Sequence, residues 1–250
     1  MDLRRHHQWL YPMCGTLILL TLWELLGRTS FFEGVMPPPS EILNAVVFTP
    51  ARSLYVEALM VTGRSAIIGY VLGVLIGACL ATLAQLIPIL RAGIVRFSAI
   101  ANATPVIALG PVLMATVERA HLPIAVAAFF VFFSIFIALL SGYGEATRTH
   151  HDLFTVLGAT RRRRFFYLEG PAGLPTFTAG LKVAAPAAVV GAIFGEWFGL
   201  DKGVGPLLIS SMQSYSLGAL WGSTLMAGML GMLAYMLLSV MEKHISKRFR

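Results

Sequence analysis

Six apolar runs of about 20 residues each, at 9–27, 61–86, 94–117, 122–142, 176–198 and 219–241, constrain this chain more than any other feature. A helix of that length crosses a hydrocarbon layer about 30 Å thick. Inside a bilayer the backbone finds no water, so each run is expected to close its hydrogen bonds internally, as a helix. Only 12% of residues are charged, about half the ~25% of a soluble domain, whose core could not absorb so much apolar surface. The expected fold is all-α: one polytopic transmembrane domain over residues 1–250, of about six helices. The third run carries Pro105 and Pro111. Such kinks are tolerated at membrane depth only where protein or a water-filled cavity covers them.

The segment Arg4, Arg5 and the apolar stretch from Trp9 is built like a secretory signal. No small-residue cleavage site precedes Glu24–Arg28, so a retained first helix is expected. Orientation follows from the basic residues, because inner loops retain them. With the N-terminus inside, the inner segments hold Arg4, Arg5, Arg91, Arg96, Arg148, Arg161–Arg164, Lys243, Lys247, Arg248 and Arg250. The outer segments hold Arg28, Arg52, Arg119 and Lys202. Both termini are then cytoplasmic. The net charge of +7 lies in these connections, not on one amphipathic face, which points to lipid headgroups and not to nucleic acid.

Pro37-Pro38-Pro39 reads as a stiff extended segment, and Ser40 as the N-cap of a short outer-surface helix over 41–48. Gly69, Gly73 and Gly77 in the second run, and Gly191, Gly195 and Gly199 in the fifth, form rows that let helix backbones approach closely. Cys14 and Cys79 sit in apolar runs and behave as small hydrophobes, so neither a disulfide nor a metal site is expected. There is no Gly-Lys pair for a phosphate-binding loop and no His-Glu-x-x-His. The chain is expected to have no catalytic residues, no metal and no cofactor of its own.

The connection 143–175 is polar, rich in arginine, and long for a connector. Within it, Asp152-Leu153-Phe154-Thr155-Val156-Leu157-Gly158-Ala159-Thr160 precedes four arginines, Phe165, Phe166 and Leu168-Glu169-Gly170-Pro171. This stretch resembles the EAA loop of binding-protein-dependent ABC importer permeases, which has a Glu-Ala-Ala opening, a glycine and an Ile-x-Leu-Pro ending. Asp152 takes the glutamate position, Gly158 the glycine, Leu168 the isoleucine and Pro171 the proline. Leu153 and Phe154 stand for the alanines and Gly170 for the leucine. The resemblance extends over most of residues 20–241 to the branch serving nitrate, sulfonate, taurine and pyrimidine-precursor uptake. It is carried there by Leu22-Trp23-Glu24, Pro37–Ser40, Gly191–Trp197 and Gly203-Val204-Gly205. Met114–His121 departs from the relatives' Trp-Phe-Gly turn.

The resemblance implies a second permease copy or a paralogue, and two cytoplasmic ATPase subunits that carry ATP and Mg. It also implies an extracytoplasmic solute-binding protein and a multi-pass place in the bacterial cytoplasmic membrane. Asp152, Gly158, Ala159, Arg161, Arg162, Arg163, Phe165 and Pro171 would then couple the permease to the ATPase. The solute would be an oxyanion or sulfonate, or a nitrogen heterocycle. The alternative is a secondary transporter or channel that works without ATP, which leaves the EAA-like loop unexplained.

Intramembrane ionisable groups are costly and invite functional readings. Glu196 either faces the solute pathway or binding protein, or is structural through Lys202 or another helix. Glu24 is expected to pair with Arg28 one turn on. Asn102 and Thr104, beside Pro105, either line the pathway or satisfy the backbone that the proline frees.

Overall fold

The computed structural model describes the backbone of residues 3–29, 31, 34–48 and 52–246, with side chains over that stretch except at 3–10, 12 and 244–246. Of the basic residues placed inside above, the side chains of Arg4 and Arg5, and all of Lys247, Arg248 and Arg250, lie outside the described set. Every regular element among the described residues is helical. In chain order these are α1 Leu3–Gly27, α2 Pro39–Val47, α3 Arg52–Leu86, α4 Pro88–Ala103, α5 Val106–Thr116, α6 Leu122–Gly142, α7 Arg148–Val156, α8 Arg161–Arg164, α9 Gly170–Glu196, α10 Val204–Gln213 and α11 Leu217–Ser246. A 3₁₀ turn at Arg119–His121 leads into α6, and a π-helical turn at Phe165–Glu169 joins α8 to α9.

Among the described residues, four helical segments are long and apolar enough to cross a membrane: Arg52–Leu86, Arg119–Gly142, Arg161–Glu196 and Leu217–Lys243. The third expected span differs from a kinked helix, because α4 and α5 meet at 102°. The break falls at Thr104, whose extended backbone (φ −76°, ψ 123°) is what a following proline imposes. Pro111 instead sits inside α5. The Thr104 hydroxyl donates to the Ile100 carbonyl at 2.9 Å, and the Thr104 N–H reaches the Ile100 and Ala101 carbonyls. Thr104 therefore occupies carbonyls near the break.

Two spans start earlier than their apolar runs suggest. Arg52–Met60 contains no glycine or proline, so α3 simply continues outward from 61. The fifth span runs unbroken from Arg161, not from about 176. Pro171 cannot donate to a carbonyl one turn back, and the π turn steps around it, with the Gly170 N–H reaching the Phe165 carbonyl. Residues 161–175 are thus the base of a membrane helix and not a separate short one.

The core is α6, held between α3 and α9, with Leu122, Val126, Val131, Ile135 and Phe136 fully buried. On one side, a Cβ on Gly69 or Gly73 would stand 2.7 Å from the Ile124 or Ala128 carbonyl oxygen. On the other, a Cβ on Gly191 or Gly195 would stand 2.7 Å from Ala127 Cα or 2.5 Å from Pro123 Cα. Gly199, the expected third member of that row, has φ +112° and open space around it. It belongs to the turn after α9, since that helix ends at Glu196.

Ser40 does not cap α2. The N-cap is Pro38, with Pro39 opening the helix, and the missing acceptor comes from α1. Glu24 accepts the Ser40 N–H at 3.1 Å and its hydroxyl at 2.7 Å while pairing with Arg28 at 2.7 Å. A carboxylate at a helix N-terminus meets an orphan N–H and the positive end of the dipole. These hydrogen bonds tie α1 to α2.

Candidate functional site

At one end of the bundle the chain leaves α6 and builds a helix, turn and helix. Thr147 caps α7, its hydroxyl accepting the His150 N–H. The helix closes with the Ala159 N–H on the Phe154 carbonyl (2.9 Å) and the Gly158 N–H on the Thr155 carbonyl (3.0 Å). That is a Schellman closure, which needs a left-handed residue, and Gly158 supplies it at φ +65°. Two residues later the Thr160 hydroxyl caps the next helix. No residue of α7 is buried, and Leu153, Val156 and Leu157 are exposed at 53, 85 and 70%. The turn therefore presents an apolar tip on an otherwise polar surface.

The arginines after the turn have different surroundings. Arg162 and Arg163 are exposed, with Asp152, while Phe165 turns inward against Tyr143 (ring centroids 5.2 Å apart) and Phe166 and Tyr167 face out. Arg161 donates to the Gln85 main-chain carbonyl at 2.6 Å, placing a cation at the negative end of α3. The Gln85 amide N–H donates to Glu169 at 2.8 Å. Glu169 is 7% exposed and lies 3.9 Å from Arg164. The Arg161–Glu169 segment is therefore fastened to the end of α3 through Gln85. Sequence reading missed Gln85, whose one signal was an amide at the end of an apolar run.

At the opposite end, Glu196 is 1% exposed. One carboxylate oxygen accepts the Thr62 hydroxyl at 2.7 Å and the other the Gly205 N–H at 2.8 Å. Thr62 in turn accepts the Val204 N–H at 2.9 Å. Gly203 has φ +127°, and its missing Cβ would lie 2.5 Å from Glu196 Oε2, so no other residue fits the Gly203-Val204-Gly205 turn without strain. Glu196 thus pins the start of α10 to α3. Lys202 pairs instead with Glu57 at 2.6 Å, and the carboxylate holds its ammonium above the usual lysine range. Beside this pair lies a cavity of about 450 Å³ between α3 and α10, lined also by Asp201, Ser210 and Gln213.

Asn102 is exposed at the α4–α5 bend and Thr104 is half-buried there. Among the described residues, no hydrogen bond or ion pair joins either to Glu196.

A helical bundle of this kind, with several helices of membrane-spanning length and polar groups gathered at both ends, defines a polytopic membrane protein. The chain belongs to the family described as binding-protein-dependent transport system inner membrane component, whose profile matches residues 69–250. It is 27% identical over 241 residues, 96% of both chains, to a formylaminopyrimidine transport permease protein of Halalkalibacterium halodurans. It is also 27% identical over 201 residues, 80% of this chain and 82% of the relative, to a probable ABC transporter permease protein of Haemophilus influenzae. The chain is a multi-pass permease subunit of an ABC importer, and the ATP-independent carrier or channel finds no support in these relatives.

Proposed function

We propose that this permease carries a nitrogen-heterocyclic solute of the formylaminopyrimidine class inward across the bacterial cytoplasmic membrane by alternating access. Two ATPase subunits dock on the Gly158 turn and an extracytoplasmic binding protein delivers the solute. The observation that carries the solute class is similarity along 96% of both chains to a permease named for formylaminopyrimidine. The docking assignment is supported by the exposed apolar tip of α7 beside Asp152, Ala159, Arg162 and Arg163. In this reading Gly158 and Pro171 shape the element, Arg161 and Phe165 hold it to the bundle, and ATP and Mg act on the partner. Asn102 and Thr104 border the solute path at the bend, whereas Glu196 holds the mouth without touching solute. A second permease copy, or a paralogue, completes the path.

The test is uptake by proteoliposomes holding the permease, its ATPase subunits and the binding protein. Labelled formylaminopyrimidine is expected to accumulate only with ATP and both partners present. Equal accumulation without the ATPase would refute the coupling, and accumulation of taurine or nitrate instead would refute the solute class.

Orientation has its own check. In a variant lacking Cys14 and Cys79, a cysteine at Glu41 is expected to react with a membrane-impermeant maleimide in intact spheroplasts, and one at Val156 only after lysis. Both positions are exposed. Labelling of the Val156 position in intact spheroplasts would invert the topology.

A further inference from the structure

Between α1, α2, the start of α3 and α11 runs a groove of about 530 Å³. Its walls are hydrocarbon, with Leu20, Ile42, Val46, Val56, Leu225 and Met229 among them. All of these except Ile42 and Val46 are exposed, at 38–64%, so the groove opens along the side of the bundle. It lies at the end remote from the arginine turn, because Arg52 and Gln85 stand near opposite ends of the 35-residue α3. The Trp23 and Trp221 rings, 5.6 Å apart, lie beside it, as tryptophans do at a membrane interface.

Among the described residues, one charged side chain lines this groove, Arg52, the first residue of α3. It is exposed, and no hydrogen bond or ion pair engages it among the described residues. The nearby acids are occupied or elsewhere. Glu24 holds Arg28 and Ser40, Glu57 holds Lys202, and Glu41 faces a separate polar hollow with Arg28 and Asn44. An apolar trough with one free guanidinium is complementary to an acyl chain bearing an anionic phosphate. Another copy of this chain is a poorer match, since with 19 Lys and Arg against 12 Asp and Glu it offers mainly cations or hydrocarbon to Arg52.

We infer that this groove binds an anionic diacyl phospholipid from the leaflet at that end, one acyl chain in the trough and the phosphate on Arg52. The site is independent of the transported solute and of the docking turn.

Native mass spectrometry of the intact transporter, loaded with phosphatidylglycerol or with phosphatidylcholine of the same chains, tests this. Wild type is expected to retain one phosphatidylglycerol per permease chain in preference to phosphatidylcholine. Arg52→Gln should lower that retention about tenfold, the loss of one charge-assisted hydrogen bond. Arg119→Gln removes the same charge from the 3₁₀ turn before α6, away from the groove, and should change nothing. Val56→Trp, which fills the trough from an exposed position, should lower retention of both lipids. Undiminished phosphatidylglycerol on Arg52→Gln, or both lipids held normally by Val56→Trp, would overturn the site. So would disulfide formation between copies carrying a cysteine at Val56, since protein would then cover the groove.

Discussion

Gly195→Leu is expected to leave almost no folded permease in the membrane, with Gly73→Leu close behind. Lipid tails are as apolar as leucine, so helices in a bilayer hold together by close packing and not by exclusion of water. Here α6 is gripped on both sides, with the absent Cβ of Gly195 only 2.5 Å from Pro123 Cα and 2.7 Å from the Leu122 carbonyl oxygen. The obstacles are backbone atoms of the central helix, at buried Leu122 and Pro123, which no rotamer change moves aside. The absent Cβ of Gly73 likewise stands 2.7 Å from the Ala128 carbonyl oxygen and 2.6 Å from Val131 Cβ. Overpacking a tight core costs about 1–3 kcal/mol, and separating two helices along their length exceeds that range. Size-exclusion profiles of detergent-solubilised protein measure the loss. Gly93→Leu and Gly228→Leu serve as controls, because nothing lies within 4 Å of either position. A normal monodisperse yield of Gly195→Leu would refute the grip on α6.

The second large effect is on transport alone. Gly158→Val is expected to cut ATP-driven uptake at least tenfold while the protein reaches the membrane in normal amounts. Space is not the difficulty, since nothing lies within 4 Å of a Cβ there. The strain is in the backbone, because a β-branched residue at φ +65° costs about 1–2 kcal/mol or more. The chain relieves it by giving up the left-handed turn, and with it the Ala159–Phe154 and Gly158–Thr155 hydrogen bonds. The α7 tip then points elsewhere, while the helix from Arg161 onward keeps its hold on Gln85. Gly158→Asn, which tolerates positive φ, should retain most uptake. ATPase subunits that bind and turn over normally on Gly158→Val would remove the docking turn from the coupling scheme. Gln85→Leu probes the next link, since it leaves Glu169 buried without its amide donor. It should weaken coupling while the ATPase stays bound.

Hydropathy alone makes the helical class and several boundaries legible. The run 122–142 became α6 without adjustment, because it is apolar throughout and flanked by residues that end helices. The prolines were legible as disturbances but not in their consequence. Pro105 breaks the chain by 102°, Pro111 is absorbed, and Pro171 is bypassed by a π turn. Composition does not say which of these outcomes a given proline brings.

The same limit divides the candidate residues. Gly158 was readable because a positive φ after a helix is a local demand that glycine alone meets cheaply, and Asp152, Arg162 and Arg163 were readable as a charged, solvent-facing turn. Glu196 was visible as a carboxylate in an apolar run, yet its partners, Thr62 and the Gly205 N–H, come from helices 134 and 9 residues away in sequence. Gln85, Glu169 and the inward turn of Phe165 were hidden for the same reason. Periodicity, hydrophobic length and turn chemistry act over a few neighbouring residues, so the sequence by itself determined the helices, the glycine turn at 158 and the membrane setting. Which polar groups meet at each end of the bundle was decided only when α3, α6 and α9 packed together, because those meetings depend on distances that no local pattern encodes.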